Sequence, residues 1–374
     1  YTNMSRFTIK SQSGKARLGS YTTNHGVFET PNFMPVGTQG TVKGIDSERL
    51  KESKAQIVLV NTYHLWIRPG EEVVRELGGI HKFMNWEGPI LSDSGGFQVY
   101  SLSKIRKISE EGIHFQSHLD GTPLFLTPEK SIEIQQTLGV DIAMVLDECP
   151  KAESSYDEFR ESLELTKRWA KRCLAVKKEE SMFGITQGGF HRDLRTDSAQ
   201  FISEIPFDGC AIGGLSVGEP QDVMYEVLSY HPSQLPKDKI RYLMGVGTPL
   251  DLITAVSNGV DLFDCVMPTR SGRFGRAFVR GEEPTLNIRN ARFIKDLEPL
   301  DENCACITCR SYSRGYLNHL FRSDEMLGPV LLSIHNTTFY QDFMRSIREA
   351  ISNGTLEELL KLEQARWVAA DNLD

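Results

Sequence analysis

The sequence predicts an α/β protein, an irregular (β/α)8 TIM barrel with an inserted or appended zinc-binding subdomain, on three observations. Eight short apolar runs, several rich in β-branched residues, alternate with stretches of helical periodicity. Three of these runs end in an aspartate, at Asp93, Asp147 and Asp264. Three cysteines (Cys304, Cys306 and Cys309) fall within six residues, and His335 follows downstream.

The eight candidate strands are 32–36, 57–60, 89–91, 142–146, 182–186, 210–213, 241–246 and 260–266. Repeated strand–helix units imply a parallel sheet, and eight of them favour a closed barrel over an open doubly wound sheet. Residues 157–180 are expected to be helical, with Phe159, Leu163, Leu165, Trp169 and Cys173 close to a 3.6-residue period. Thr127 with Pro128, and Thr248 with Pro249, each read as an N-cap followed by proline at the first helical position. A long insertion, 98–120, separates the third and fourth strands and reads as β-hairpin material. After about residue 295 the pattern changes to a Cys-rich turn and helices. The expected partition is a catalytic barrel at 1–295 with N-terminal and hairpin insertions, a zinc-binding subdomain at 296–340, and C-terminal helices at 341–374 packing back on the barrel.

A chain of 374 residues that is 40% hydrophobic and 25% charged has ample material for a large core, which excludes overall disorder. No apolar run of about 18 residues and no apolar N-terminal segment is present, so no membrane partner is expected. A reducing cytoplasm is the expected compartment, and the seven cysteines are then metal ligands or free thiols rather than disulfides. The net charge of −8 argues against generic coating of nucleic acid. Cations nevertheless cluster locally. Between residues 260 and 295, seven cations (Arg270, Arg273, Arg276, Arg280, Arg289, Arg292, Lys295) face four anions. A second group, from Lys167 to Lys178, reads better as a solvated helix face with ion pairs. Thr269, Arg270 and Arg273 closely follow Asp264 and suit phosphate contacts.

In parallel β/α folds, catalytic groups sit at the C-terminal ends of strands. Any one of the three aspartates could instead cap the next helix. Three at one barrel mouth suit a nucleophile and an acid/base around a glycosidic carbon. Glycine pairs at 95–96, 188–189 and 213–214 also follow candidate strands. Gly213-Gly214 is the better candidate for backbone recognition of a planar ring, and Gly188-Gly189 reads as ordinary turn chemistry. Cys149 and Cys265 adjoin the putative site, but no histidine is placed to activate either as a nucleophile. Cys304, Cys306, Cys309 and His335 make a closed tetrahedral set for one structural zinc ion per chain, with His319 as the rival fourth ligand.

Taken in order, the motifs resemble those of bacterial tRNA-guanine transglycosylases (queuine tRNA-ribosyltransferases), over nearly the whole chain. They are FMPVG from Phe33, NTYH from Asn61, SDSGGFQ from Ser92, DEC from Asp147, GITQG from Gly184, GGLSVGE from Gly213, YLMGVG from Tyr242 and DCVMPTRSGR from Asp264. The resemblance implies exchange of the wobble guanine in tRNAs with GUN anticodons for 7-aminomethyl-7-deazaguanine, a step of queuosine biosynthesis. Asp264 would be the nucleophile that forms a covalent aspartyl-ribose intermediate, and Asp93 the general acid/base. Asp147 would accept hydrogen bonds from the guanine edge. Gln187 and the Gly214 backbone would meet the exocyclic oxygen, the Leu215 backbone the aminomethyl group, and Phe97 and Met244 the ring faces. The target base must leave its stack to be reached. Phe97 stands where many bacterial members carry tyrosine, and Thr248 where some carry lysine. Val217, glycine in eukaryotic members, fits the smaller base. The resemblance also implies a homodimer through the zinc subdomain, with Tyr312, Tyr316 and His319 as interface candidates that equally suit its core. The alternatives weighed are a non-catalytic tRNA-binding member of the family and a carbohydrate hydrolase on the same barrel. Neither lost carboxylates nor lost zinc ligands favour the first, and the arginines and cysteines are unexplained by the second.

Overall fold

The computed structural model describes residues 5–104 and 106–371. Three antiparallel strands come first: β1 (Phe7–Ser13), β2 (Ala16–Thr23) and β3 (Gly26–Thr30). The barrel takes β4 (Asn32–Met34), β5 (Val58–Asn61) and β6 (Ile90–Asp93). An antiparallel meander follows, of β7 (Arg106–Ile108), β8 (Ile113–Gln116) and β9 (Pro123–Leu126). The barrel then resumes with β10 (Ile142–Met144), β11 (Ser181–Thr186), β12 (Gly209–Ile212), β13 (Ile240–Leu243) and β14 (Leu262–Asp264). A last hairpin, β15 (Arg276–Phe278) and β16 (Thr285–Asn287), leads to the C-terminal helices.

The eight barrel strands are parallel, in the order β4-β14-β13-β12-β11-β10-β6-β5. The ring is nearly closed between β5 and the end of β4, where Leu59 N–H donates to Pro35 O (3.0 Å) and Gly37 N–H to Leu59 O (2.6 Å). All eight apolar runs of the sequence become these strands. Strands β5, β11, β12 and β13 are buried at every position. They lie inside a ring of helices, which is why they read as continuous apolar runs rather than alternating ones. The N-terminal sheet is tied to the barrel by buried Arg17 of β2. Its guanidinium pairs with Asp261 and also reaches the carbonyls of Lys237 (2.5 Å) and Lys239 (2.7 Å).

Both Thr-Pro helix starts are present. Thr127 caps Pro128–Leu138, and Thr248 forms a capping box with Asp251 on Pro249–Ser257. The 157–180 expectation is corrected to a helix Tyr156–Ala175, capped by Ser155 and Glu158. It ends early because the apolar period stops at Cys173, and the charged tail beyond has no face to bury. The insertion read as β-hairpin material forms antiparallel strands, the meander β7-β8-β9, which runs on to Leu126; its first residues differ and lie in a helix, Gly96–Leu102. A 27-residue helix, Leu327–Asn353, runs through the expected boundary at 340/341. The final helix, Leu356–Asp371, packs on Pro249–Ser257 and on Leu327–Asn353. No helix among the described residues is long and apolar enough to cross a membrane.

Helix Met267–Arg273, which follows β14, packs tightly against Leu327–Asn353. A side chain at Gly272 would place its Cβ 2.8 Å from Ser333 N and 3.0 Å from Leu332 C, both backbone atoms that cannot swing away. Gly272→Val is therefore expected to destabilise the fold by about 1–3 kcal/mol. An unchanged urea midpoint would refute this packing.

Candidate active site

The parallel ladder brings the C-terminal ends of all eight strands to one mouth, and the three aspartates sit there. None of them caps a helix. Gly95 occupies the N-cap before Gly96–Leu102, and Val266 the one before Met267–Arg273, neither with a side-chain cap bond. Asp93, at the end of β6, is held by the end of neighbouring β5. Asn61 Nδ2 donates to its Oδ2 (2.6 Å), and Thr62 N–H (3.3 Å) and Gly95 N–H (3.1 Å) to its Oδ1. Asp264, at the end of β14, takes both of its bonds on Oδ1, from the Tyr242 hydroxyl (2.5 Å) and Gly245 N–H (2.9 Å). Its Oδ2 takes no hydrogen bond among the described residues. Asp147, beyond β10, accepts from Gln187 Nε2 (2.7 Å) on Oδ2.

Each carboxylate is half-buried at its surface and closely walled by protein, so burial disfavours the charged form. Asp93 is pushed up to about 7, by burial first and then by the negative charge of Asp264, against the hydrogen bonds from Thr62, Gly95 and Asn61. Asp147 is pushed up to about 6, mainly by burial. Asp264 is also raised by burial, with Tyr242 and Gly245 opposing. Burial likewise pushes the Cys149 and Cys265 thiols up to about 12, so neither is an activated nucleophile.

The remaining predicted pocket residues line the same rim. Gln187 follows β11, and its Oε1 is buried without a hydrogen-bond partner among the described residues. Gly214 has φ +73°, and a Cβ there would lie 2.5 Å from Gln187 Oε1, so only glycine lets the backbone come this close. Leu215 is buried, Met244 is half-buried beyond β13, and Phe97 is 49% exposed beside Asp147. Sequence reasoning assigned no role to three residues that build the site. Asn61 and Tyr242 lie inside recognised motifs, but their contacts to Asp93 and Asp264 cross between strands. Arg195 is fully buried. It donates to the carbonyls of Gly189 (2.7 Å) and Gly213 (2.8 Å), joining the turns after β11 and β12. It is one of two arginines in the helix Arg192–Ser203, so no sequence signal marked it.

Cys304, Cys306, Cys309 and His335 are buried together, with one ligand atom from each within 4.8 Å of the others. His335 Nδ1 lies 3.3 Å from Cys309 Sγ and 3.6 Å from Cys306 Sγ. Metal–ligand bonds of about 2.1 Å to nitrogen and 2.3 Å to sulfur put tetrahedral ligand atoms roughly 3.6 Å apart, so the group fits a metal ion. His335 Nε2–H donates to Phe278 O (2.7 Å), which leaves Nδ1 as the coordinating atom. His319 is exposed, on helix Arg314–Arg322, and is not part of this set.

A family profile described as Queuine tRNA-ribosyltransferase matches residues 11–368. The chain is 53% identical over 348 residues to the queuine tRNA-ribosyltransferase of Staphylococcus aureus (strain bovine RF122 / ET3-1), covering 92% of this chain and 91% of that protein. It is 54% identical over 344 residues to that of Bacillus subtilis (strain 168), covering 91% and 90%. The chain belongs to the queuine tRNA-ribosyltransferase family. Relatives in that family are named as enzymes that act on tRNA, which bears directly on the arginines around the mouth.

Most of those arginines are engaged within the protein. Arg280 pairs with Asp342 (3.3 Å), Arg292 with Glu283 (2.7 Å), and Arg289 donates to Phe321 O (3.1 Å). The helix Tyr156–Ala175 is laced as the sequence implied, with Lys167–Asp197 at 2.5 Å, Arg168–Glu110 at 2.8 Å and Arg172–Glu129 at 2.7 Å. Arg270 and Arg273 form no ion pair among the described residues, and Nη1 of Arg273 is buried without a partner. Thr269 is buried, and its hydroxyl donates to Val266 O (3.4 Å), so it turns toward its own helix.

Two outcomes follow from this geometry. Asp93 has an ordinary value of 3.8 that the folded site raises to about 7. The folded protein thus binds this proton more tightly than the unfolded chain. The stability this group contributes is complete below about pH 4 and is lost as pH rises through about 7. Asp93→Asn is expected to raise Tm at pH 8 by roughly 1–3 °C and to change it little at pH 4.5. Calorimetry finding the variant less stable at pH 8 would contradict the buried-charge account. For the Cys3His group, metal analysis is expected to find one zinc per chain, and Cys309→Ser to lose it with a drop in Tm. A folded, metal-free wild-type protein would refute the closed site.

Proposed function

We propose that the chain is a tRNA-guanine transglycosylase that exchanges the wobble guanine of GUN-anticodon tRNAs for 7-aminomethyl-7-deazaguanine in queuosine biosynthesis. The observation that carries this reading is the divided state of the carboxylates at one mouth. Asp264 has one oxygen anchored and one open, while Asp93 has both oxygens held and a pKa near neutrality.

With the target nucleotide splayed into the mouth, Asp264 Oδ2 attacks the ribose anomeric carbon. The bond from that carbon to guanine breaks, and the leaving nitrogen takes its electron pair. Asp93, whose raised pKa of about 7 keeps a protonated fraction near neutrality, gives this nitrogen its proton, and guanine departs neutral. The incoming base then loses its ring N–H proton to the Asp93 carboxylate and attacks the same carbon, and Asp264 leaves as the free carboxylate. Tyr242 and Gly245 donate to Asp264 Oδ1 throughout, keeping the open oxygen aimed at the sugar.

Base recognition falls to Asp147, Gln187, and the Gly214 and Leu215 backbone, with Phe97 and Met244 at the ring faces. A purine-like edge with adjacent N–H donors suits Asp147, whose charge Gln187 supports. Arg270 and Arg273, with Thr269 behind them, serve the anticodon loop. A zinc ion held by Cys304, Cys306, Cys309 and His335 would have all four positions filled by protein, so it would supply structure and no reaction chemistry. The chain works in the cytoplasm, where its tRNA substrate is. It pairs as a homodimer through the zinc subdomain, where the Tyr312 and Tyr316 rings stack at 5.4 Å beside exposed Leu297 and Tyr316 is followed by exposed His319.

Labelled guanine, and then 7-aminomethyl-7-deazaguanine, are expected to enter unmodified GUN tRNA. Folded, zinc-loaded protein that incorporates neither would sink the reading. Asp264→Ala is expected to lose covalent trapping of tRNA on denaturing gels while keeping its fold by circular dichroism. Normal trapping by that variant would remove Asp264 as nucleophile.

A further inference from the structure

The barrel strands begin at the end opposite the mouth, and there three separate segments bring two imidazoles to one carboxylate. Asp141 directly precedes β10. His25 lies in the turn between β2 and β3, and His81 in the helix Ile80–Met84. His25 Nδ1 is 2.7 Å from Asp141 Oδ1, and His81 Nε2 is 3.0 Å from Asp141 Oδ2. Ile90 N–H, at the start of β6, donates to the same Oδ2 (2.8 Å) and holds the carboxylate in place. The two rings stack, with centroids 3.6 Å apart and planes at 16°.

Two imidazoles and a carboxylate are a ligand set for a zinc-class ion. One ligand atom from each residue lies within 4.8 Å of the other two. Metal–ligand bonds of about 2.1 Å put tetrahedral ligand atoms roughly 3.4 Å apart, so the three need only a small rearrangement. Near-parallel rings suit hydrogen bonds to separate oxygens, whereas a shared ion needs ring planes that converge on it. His25 has room to turn, because its side chain is 42% exposed while that of Asp141 is 2% exposed. A cavity of about 650 Å³ opens over His25 and Asp141. Its rim carries Glu133, Glu179 and Glu180 against a single cation, Lys178. Glu133 is shared with Lys130 (3.5 Å), and the other two glutamates still outnumber Lys178. Such a rim favours a cation over an anion.

We propose that His25, His81 and Asp141 hold one divalent transition-metal ion of the zinc class at the floor of the barrel, with water from the cavity in the fourth position. Each ring then presents its lone pair to the ion and carries its proton on the other nitrogen. The site is separate from the Cys304, Cys306, Cys309 and His335 cluster and owes nothing to the reading of the mouth. It joins the N-terminal sheet to the starts of β6 and β10, the strands that lead to Asp93 and Asp147. An ion there staples the floor and stabilises the folded chain by mass action.

The test uses untagged full-length protein and Zn2+ alone as the probe, so that exchange at the thiol cluster changes no count. Metal per chain is measured after equilibrium dialysis against micromolar free zinc. Wild type is expected to hold two ions, one of which a mild chelator removes. His25→Ala and His81→Ala are each expected to hold one. Asp141 is left in place because it also anchors β6. Losing a ligand should weaken the second ion by about a hundredfold, at least the cost of losing a ligand's supporting partner. Added zinc should raise the Tm of wild type by roughly 1–3 °C and leave that of both variants unchanged. Retention of the first ion in both variants shows that they are folded. Wild type that holds a single zinc overturns the site. So does a second zinc that persists in either variant, which would place that ion on other residues.

Discussion

Helix Leu327–Asn353 holds the mouth of the barrel to the Cys304, Cys306, Cys309 and His335 cluster, through residues one or a few positions apart. His335 turns Nδ1 to the three thiols and Nε2 to Phe278 O. The next residue, Asn336, donates to Pro268 O and Arg276 O, and accepts from Phe278 N–H. It thereby clamps both ends of the segment that follows Asp264. Tyr340 donates to Gly247 O, just beyond Gly245, and Gln341 donates to Phe33 O in β4, the strand paired with β14. An ion that fixed His335 would therefore fix the rotation of a helix whose side chains hold β4 and the segments after β13 and β14. On the proposed function, a metal there with no chemistry of its own would be coupled to chemistry, because it would remove freedom from the elements that position Asp264.

That rigidity is needed because the mouth is electrostatically costly. Asp93, Asp147 and Asp264 are all raised above the ordinary carboxylate range by burial, and Asp93 is raised further by Asp264. Left mobile, such groups would turn outward to water. The hydrogen bonds that prevent this come from the ends of neighbouring strands: Asn61 to Asp93 across β5 and β6, and Tyr242 to Asp264 across β13 and β14. Near-closure of the ring at Leu59 matters for the same reason, since it fixes β5 against β4 and so carries Asn61 to its place. The site is destabilising as a set of charges and is held by a scaffold that can absorb the cost.

The barrel was legible in the sequence because its strands are buried on both faces and its helix starts carry Thr-Pro caps, both of which are local signals. The aspartates were legible because charge at the end of an apolar run is conspicuous, and the thiol cluster because its spacing is short. What the sequence did not reveal depends on non-local contact. Arg195 is an ordinary helix arginine until the fold buries it completely beneath two glycine turns. Tyr242 and Asn61 point at partners about twenty to thirty residues away in the chain. The arginines after Asp264 looked like one basic patch. The fold divides them into those that hold carboxylates or carbonyls and the few that hold nothing. Thr269, grouped with them in the sequence, turns its hydroxyl back into its own helix.

This division bears on how an acidic protein can accept a polyanion. With a net charge of −8 and most cations near the mouth already paired, long-range attraction to phosphate is weak. Little counterion release is available when only a few guanidinium groups are free. On the proposed function, affinity must then come from contacts that need the right structure: a base removed from its stack and its edge read by Asp147. Nucleic acid that cannot open its loop gains almost nothing from such a surface. The acidity of the chain is thus compatible with an RNA substrate, and on the proposed function it would sharpen the choice of it, since nonspecific backbone binding contributes little and discrimination would rest on the distorted, single-stranded form that reaches Asp264.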